Sequence, residues 1–231
     1  MGNRQLKKEI FKRLSVSNIQ ASFEHLEVIP ARKAVNPLFS FLYHTDPVIK
    51  WYAVSALGHV VANLADKDLE SARVIMRRMI WNLNDESGGI GWGSPEAMGE
   101  SMAGHQRLAG EYNRILVSYI RPDGNFLEHP ELQKGLLWGL ARLASVHPKQ
   151  VKDAGPFLLP FLASEDPEHR GLASLAAGLL QEENARKALE SLCQDGRDFH
   201  LYWDYRLESV IVGKMAKRAL SRMSNSLRPE A

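Results

Sequence analysis

Four carboxylates, Asp85, Glu86, Glu96 and Glu100, surround Trp92 in the sequence. Two carboxylates beside an indole can hold a cationic group or steady an oxocarbenium-like centre, and the same side chains also cap helices and solvate loops. Arg73, Arg77 and Arg78 stand beside Trp81. That grouping suits phosphate contact with an aromatic for base stacking, but an ordinary solvated helix face explains the arginines. Other chemistry finds little support. His105, His129, His147, His169 and His200 are dispersed, and Glu100 with His105 does not make a His-Glu-x-x-His set, so no metal is expected. Gly88, Gly89, Gly91 and Gly93 share only their composition with a phosphate-binding loop, because no Gly-Lys-Ser/Thr follows; no cofactor is expected. The single cysteine, Cys193, follows Leu189 and Leu192 in an apolar segment and reads as a packed thiol.

The elements that must position these residues are helical. Residues 3 to 14 place Leu6, Ile10 and Leu14 on one face, and residues 17 to 27 offer Ile19, Phe23 and Leu26. From residue 31 the pattern becomes paired. Val35, Leu38, Phe39 and Leu42 precede the turn at Asp46 and Pro47, whose Asp can cap and whose Pro fits a first helical turn. Further helices are expected over 48 to 62, 68 to 83, 95 to 105, 110 to 121, 132 to 146, 155 to 163, 172 to 180, 184 to 193 and 205 to 223. No segment shows sustained period-two alternation, so no sheet is expected. The glycines between 88 and 93 interrupt the helices with a folded loop that carries Ile90 and Trp92, and Ser94 with Pro95 reads as N-cap and N1 of the following helix.

Starts of second helices near Pro47, Pro95, Glu131, Pro167 and Asp204 are 48, 36, 36 and 37 residues apart, a period typical of stacked helical repeats. The pattern Asp46-Pro47 with Lys50 and residues 53 to 57, and its copy Asp166-Pro167 with Arg170 and Ala173, resembles HEAT repeats, particularly those of bacterial HEAT-like proteins. The resemblance covers residues 31 to 223 and implies an all-α, right-handed α-solenoid (an alpha-alpha superhelix) of about five antiparallel helix pairs. It also implies that Asp46 with Lys50, and Asp166 with Arg170, bridge neighbouring turns. HEAT-like proteins commonly act as binding scaffolds, and related solenoids include DNA alkylation-repair enzymes and bilin-lyase subunits. Residues 1 to 30 then form an N-terminal cap, and 224 to 231 a tail that frays.

Composition narrows the function. A formal charge of +2 does not mark a strongly basic nucleic-acid binder, and residues 83 to 130 carry 7 Asp/Glu against 3 Lys/Arg. No signal peptide or membrane span is legible, and one cysteine forbids an internal disulfide, so a cytoplasmic setting is expected. The resulting expectation is a non-enzymatic protein-binding or scaffold module. Its groove beside the 82-to-100 loop is lined by Trp92, Glu96, Glu100, Asp85, Glu86, Trp51 and Trp138, and it takes an unidentified protein or a basic peptide segment. The alternative is a DNA-lesion-binding, glycosylase-like repeat protein using Arg73, Arg77, Arg78 and Trp81.

Overall fold

A computed structural model of the chain describes residues 2–84 and 91–225. Helices α1 (Asn3–Leu14) and α2 (Gln20–Glu27) pack on the first pair, α3 (Ala31–Phe41) and α4 (Pro47–Lys67). The next pairs are α5 (Leu69–Asn84) with α6 (Ser94–Gly104), and α7 (Gln106–Ser118) with α8 (Pro130–Val146). In the fourth pair, 3-10 turns lead into the short α9 (Leu159–Leu162), which precedes α10 (Pro167–Leu180). Pro156 and Pro160 lack the N–H donors that an unbroken α-helical ladder there would need. In the fifth pair, a hairpin of β1 (Asp198–Trp203) and β2 (Arg206–Ile211) separates α11 (Arg186–Leu192) from α12 (Val212–Asn225).

The second helices of the pairs stack in the order α4, α6, α8, α10, α12, which makes the chain an all-α solenoid of repeated helix pairs. Small residues set the spacing of this ladder. A Cβ on Gly99 would lie 2.5 Å from the Gly139 backbone, and one on Gly139 would lie 2.5 Å from the Pro95 carbonyl oxygen, so α6 and α8 meet backbone against backbone. Helix α6 is enclosed by its neighbours, and the core runs along the whole array. Helix α4 is long and apolar enough to cross a membrane by length and composition alone, but 67% of that apolar window is buried inside the solenoid, where it serves as the first rung.

Three local expectations are corrected. Residues 205 to 211 are not helical, and a two-stranded antiparallel sheet is present, with Trp203 opposite Arg206 and Asp198 opposite Ile211. The cap of α6 is Gly93, at φ 75°, and Ser94 is the first helical residue. A side chain at position 93 would also meet the Leu42 Cβ at 2.7 Å, so glycine is required there twice over. The basic residues of the two Asp-Pro turns do bridge to the next repeat, but to carboxylates other than the turn aspartates: Lys50 pairs with Glu96 at 3.1 Å, and Arg170 pairs with Asp195 at 2.8 Å.

Candidate functional site

The first four connections between first and second helices adjoin one another along one edge of the solenoid: Gly93 meets Leu42, Trp92 stands beside His129, and His169 Nε2 is 3.2 Å from the Pro130 carbonyl oxygen. Three of them use a side-chain cap. Asp46 Oδ1 accepts from the Val48 N–H at 2.9 Å, His129 Nδ1 from Glu131 at 3.2 Å, and Asp166 Oδ1 from Glu168 at 2.8 Å. His129 therefore supplies the cap that the sequence lacks as an Asp before Pro130. The connection into α6 works differently. Gly91 sits against the Asn82 carbonyl at the end of α5, Gly93 sits against Leu42 at the end of α3, and Trp92 between them is held by its backbone. Trp92 is 39% exposed, with its ring 6.1 Å from the His129 ring of the next connection. Tyr43 and Val48 of the preceding connection and Phe126 of the following one are exposed as well.

Behind this edge the charged residues are matched to one another. Glu96 is 2% exposed; one carboxylate oxygen meets Lys50 Nζ, the other faces Gly135, and the carboxylate holds the Lys50 ammonium above the usual lysine range against the opposing effect of burial. Lys134 reaches Glu131 at 2.7 Å, Asp166 at 3.1 Å and Glu168 at 3.4 Å. Burial pushes the Glu168 carboxyl up despite the pull of Lys134. Glu100 accepts from Arg142 Nε at 2.7 Å and from its second nitrogen at 3.3 Å, a bidentate pair. Thus the two glutamates expected to make an acidic groove are each neutralised by a cation from another rung. Asp85 and Glu86 lie outside the described residues.

The hairpin occupies the face of the ladder where Trp51 and Trp138 sit. Tyr202 stacks on Trp51 with ring centroids 4.9 Å apart and planes 11° from parallel, and its hydroxyl is 2.8 Å from Ser55 Oγ. Trp138 Nε1 donates to the Tyr202 carbonyl at 2.6 Å, and Trp138 is 2% exposed. Phe199 covers Gly171 of α10, while Tyr205 at the hairpin tip meets Phe23 of α2 edge-on at 5.6 Å. The solenoid therefore holds an extended segment of its own across its rungs, and Trp138 presents no surface to a partner while that segment is seated. At the tip, Asp204 and Tyr205 adopt φ 48° and 63°, the paired positive angles of a two-residue type I′ turn. Neither residue is glycine or asparagine, which left the turn without its usual sequence signal.

The basic helix face belongs to the outer helix α5. Arg73 pairs with Glu70 and Glu111, Arg77 with Glu70, and Arg78 donates to Asn36 and lies over the Phe39 ring at 4.1 Å. Trp81, at the end of the same helix, is 69% exposed. These residues are not brought together with the hairpin-covered Trp51 and Trp138. Cys193 Sγ donates to the Leu189 carbonyl and packs against the core.

Fold and site together define an α-solenoid of HEAT- and armadillo-like helix pairs, and comparison with known proteins agrees at that level. An engineered protein of known structure superposes with a TM-score of 0.56 at 19% identity, covering 97% of this chain and 98% of its own. A designed armadillo repeat protein in complex with the peptide (KR)4 superposes with a TM-score of 0.54 at 18% identity, over 93% of this chain and 98% of its own. In sequence, the chain is 29% identical over 120 residues to an uncharacterised protein of Archaeoglobus fulgidus, a match spanning 52% of this chain and 56% of that protein. No protein-family model matches the chain.

Proposed function

We propose that the chain is a non-enzymatic protein-binding module that recognises its partner along the connection edge, with Trp92 as the anchor. The observation that supports this reading is the setting of Trp92: two close-packed glycines fix its backbone, and its ring is left exposed between neighbouring connections. A large aromatic fixed in place binds with little loss of side-chain freedom, as hot-spot residues do. Tyr43, Val48 and Phe126 extend the apolar edge on either side. A partner segment carrying Lys or Arg is part of the proposal, in keeping with the excess of Asp/Glu over Lys/Arg in the sequence of residues 83 to 130. A cytoplasmic protein partner is part of the same proposal, in keeping with a lone, packed Cys193.

The test is affinity capture from the native cells with wild type and Trp92→Ala side by side, accompanied by thermal melts of both proteins. Removing a hot-spot aromatic costs about 2 kcal/mol or more of binding, roughly a thirtyfold loss, so recovery of the wild-type partner should collapse. The melting temperature should change little. Equal recovery by the two proteins, or a melt lowered enough to account for the loss, would defeat the proposal.

A further inference from the structure

A separate cleft opens at the far end of the solenoid, between the hairpin and α12. Its volume is about 380 Å³, the size of a small-ligand site or of a pocket for one bulky side chain with its flanking residues. The floor is apolar, made by Leu175, Leu201, Trp203, Val210, Met215 and Ala219. Three arginines also line it: Arg206 from β2, directly across the strand pair from Trp203, and Arg218 and Arg222 from α12. Arg218 and Arg222 are four residues apart on one helix face, a spacing at which like charges repel. Lys214 continues the same stripe one turn earlier, and α12 carries no Asp or Glu along its length.

These cations differ from those that the fold uses for itself. Arg73, Arg142 and Arg170 each find a carboxylate on another rung. Among the described residues, Arg206, Arg218 and Arg222 have no hydrogen-bond or ion-pair partner, and all three are exposed. Two carboxylates, Asp204 and Glu208, also line the cleft, and neither pairs with a cation there. They leave the lining net positive while placing negative charge at intervals around it. A phosphate backbone, charged at every unit, would meet both carboxylates and leave the apolar floor uncovered. A peptide whose acidic residues flank an apolar one can direct its carboxylates to the arginines and put its apolar side chain on the floor.

We propose that this cleft is a recognition site for an acidic peptide segment bearing a bulky apolar side chain, distinct from the edge around Trp92. The apolar residue enters beside Trp203 and Leu201, and the carboxylates on either side of it pair with Arg206, Arg218 and Arg222. Charge-assisted pairs at the rim supply selection by charge sign, and the side chain taken up on the apolar floor supplies selection for an apolar centre.

Fluorescence anisotropy on the full chain tests this with three labelled peptides: Glu-Glu-Phe-Leu-Glu-Glu, Glu-Glu-Gly-Gly-Glu-Glu and Lys-Lys-Phe-Leu-Lys-Lys. The first should bind at least about tenfold more tightly than either of the others at low salt, and should weaken as salt is raised. The double variant Arg218→Glu with Arg222→Glu should lose about tenfold or more. Arg107→Glu with Arg114→Glu, an equal change of net charge on α7, should lose less than twofold. Should the α12 variant fail a circular-dichroism fold check, Arg206→Gln tests the opposite wall and should weaken binding severalfold. Equal binding of the three peptides, equal losses in the two charge-reversal variants, or no effect of Arg206→Gln would each overturn the site.

Discussion

The same substitution, glycine to alanine within a helix, should have opposite signs at two positions of this chain. Gly110 lies in the interior of α7, and a Cβ added there meets nothing within 4 Å. Only the helix-propensity difference then applies, so Gly110→Ala should stabilise the protein by about 0.5–1 kcal/mol. Gly139 receives the same propensity gain, but its Cβ would stand 2.5 Å from the Pro95 carbonyl oxygen and 3.7 Å from Gly99 Cα. Both neighbours are backbone atoms of α6, which cannot swing aside as a side chain would. Restoring ordinary contact means moving α6 and α8 apart by about 1 Å, along the most extensive helix–helix contact in the ladder. Overpacking of this kind costs about 1–3 kcal/mol, or more where the backbone must move. Gly139→Ala should therefore be destabilised by about 1–2 kcal/mol net, and the two variants should differ by about 2 kcal/mol or more in urea-unfolding free energy. Equal stability of the two would refute the backbone-to-backbone packing of α6 and α8.

Two further outcomes concern the hairpin. Trp138→Phe removes the indole donor to the buried Tyr202 carbonyl and should cost about 2–3 kcal/mol, with faster limited proteolysis between residues 198 and 211 as the local readout; unchanged proteolysis would show that this bond does not seat the hairpin. At the hairpin base, Asp195→Asn leaves Arg170, 3% exposed at its side chain, without its ionic partner and should cost about 3 kcal/mol at neutral pH. Burial acts to raise the Asp195 carboxyl, but the Arg197 N–H and side chain together with Arg170 outweigh it and hold the group below the usual range. A depressed folded-state value means that this stabilisation is fully present above the ordinary Asp pKa of about 3.9 and fades as pH falls through the folded value, so the gap between wild type and Asp195→Asn should shrink on acidification. A gap independent of pH in urea melts would argue against this ionic account.

The sequence alone determined what is local in this protein. The helical period of α4, α5 and α8, the capping turns at Asp46-Pro47 and Asp166-Pro167, and the glycine-bounded Trp92 depend on residues within a few positions of one another, so their physics can be read along the chain. The roughly 37-residue recurrence of those turns then gave the solenoid. What only the tertiary structure decided is which side chains meet across repeats. Glu100 and Arg142 are 42 positions apart, and Lys50 meets Glu96 from the neighbouring rung, so the two glutamates of an apparently acidic helix become neutralised pairs. The hairpin was hidden for two reasons. Its turn uses Asp204 and Tyr205 in place of glycine, and the buried residues of its first strand, Phe199, Leu201 and Tyr202, do not alternate strictly, because the face that leaves Asp198 and His200 exposed is covered at Tyr202 by Trp51. Whether Trp51 and Trp138 line an open groove or lie beneath an occupant depends on a segment 64 residues beyond Trp138, and only long-range packing fixes that answer.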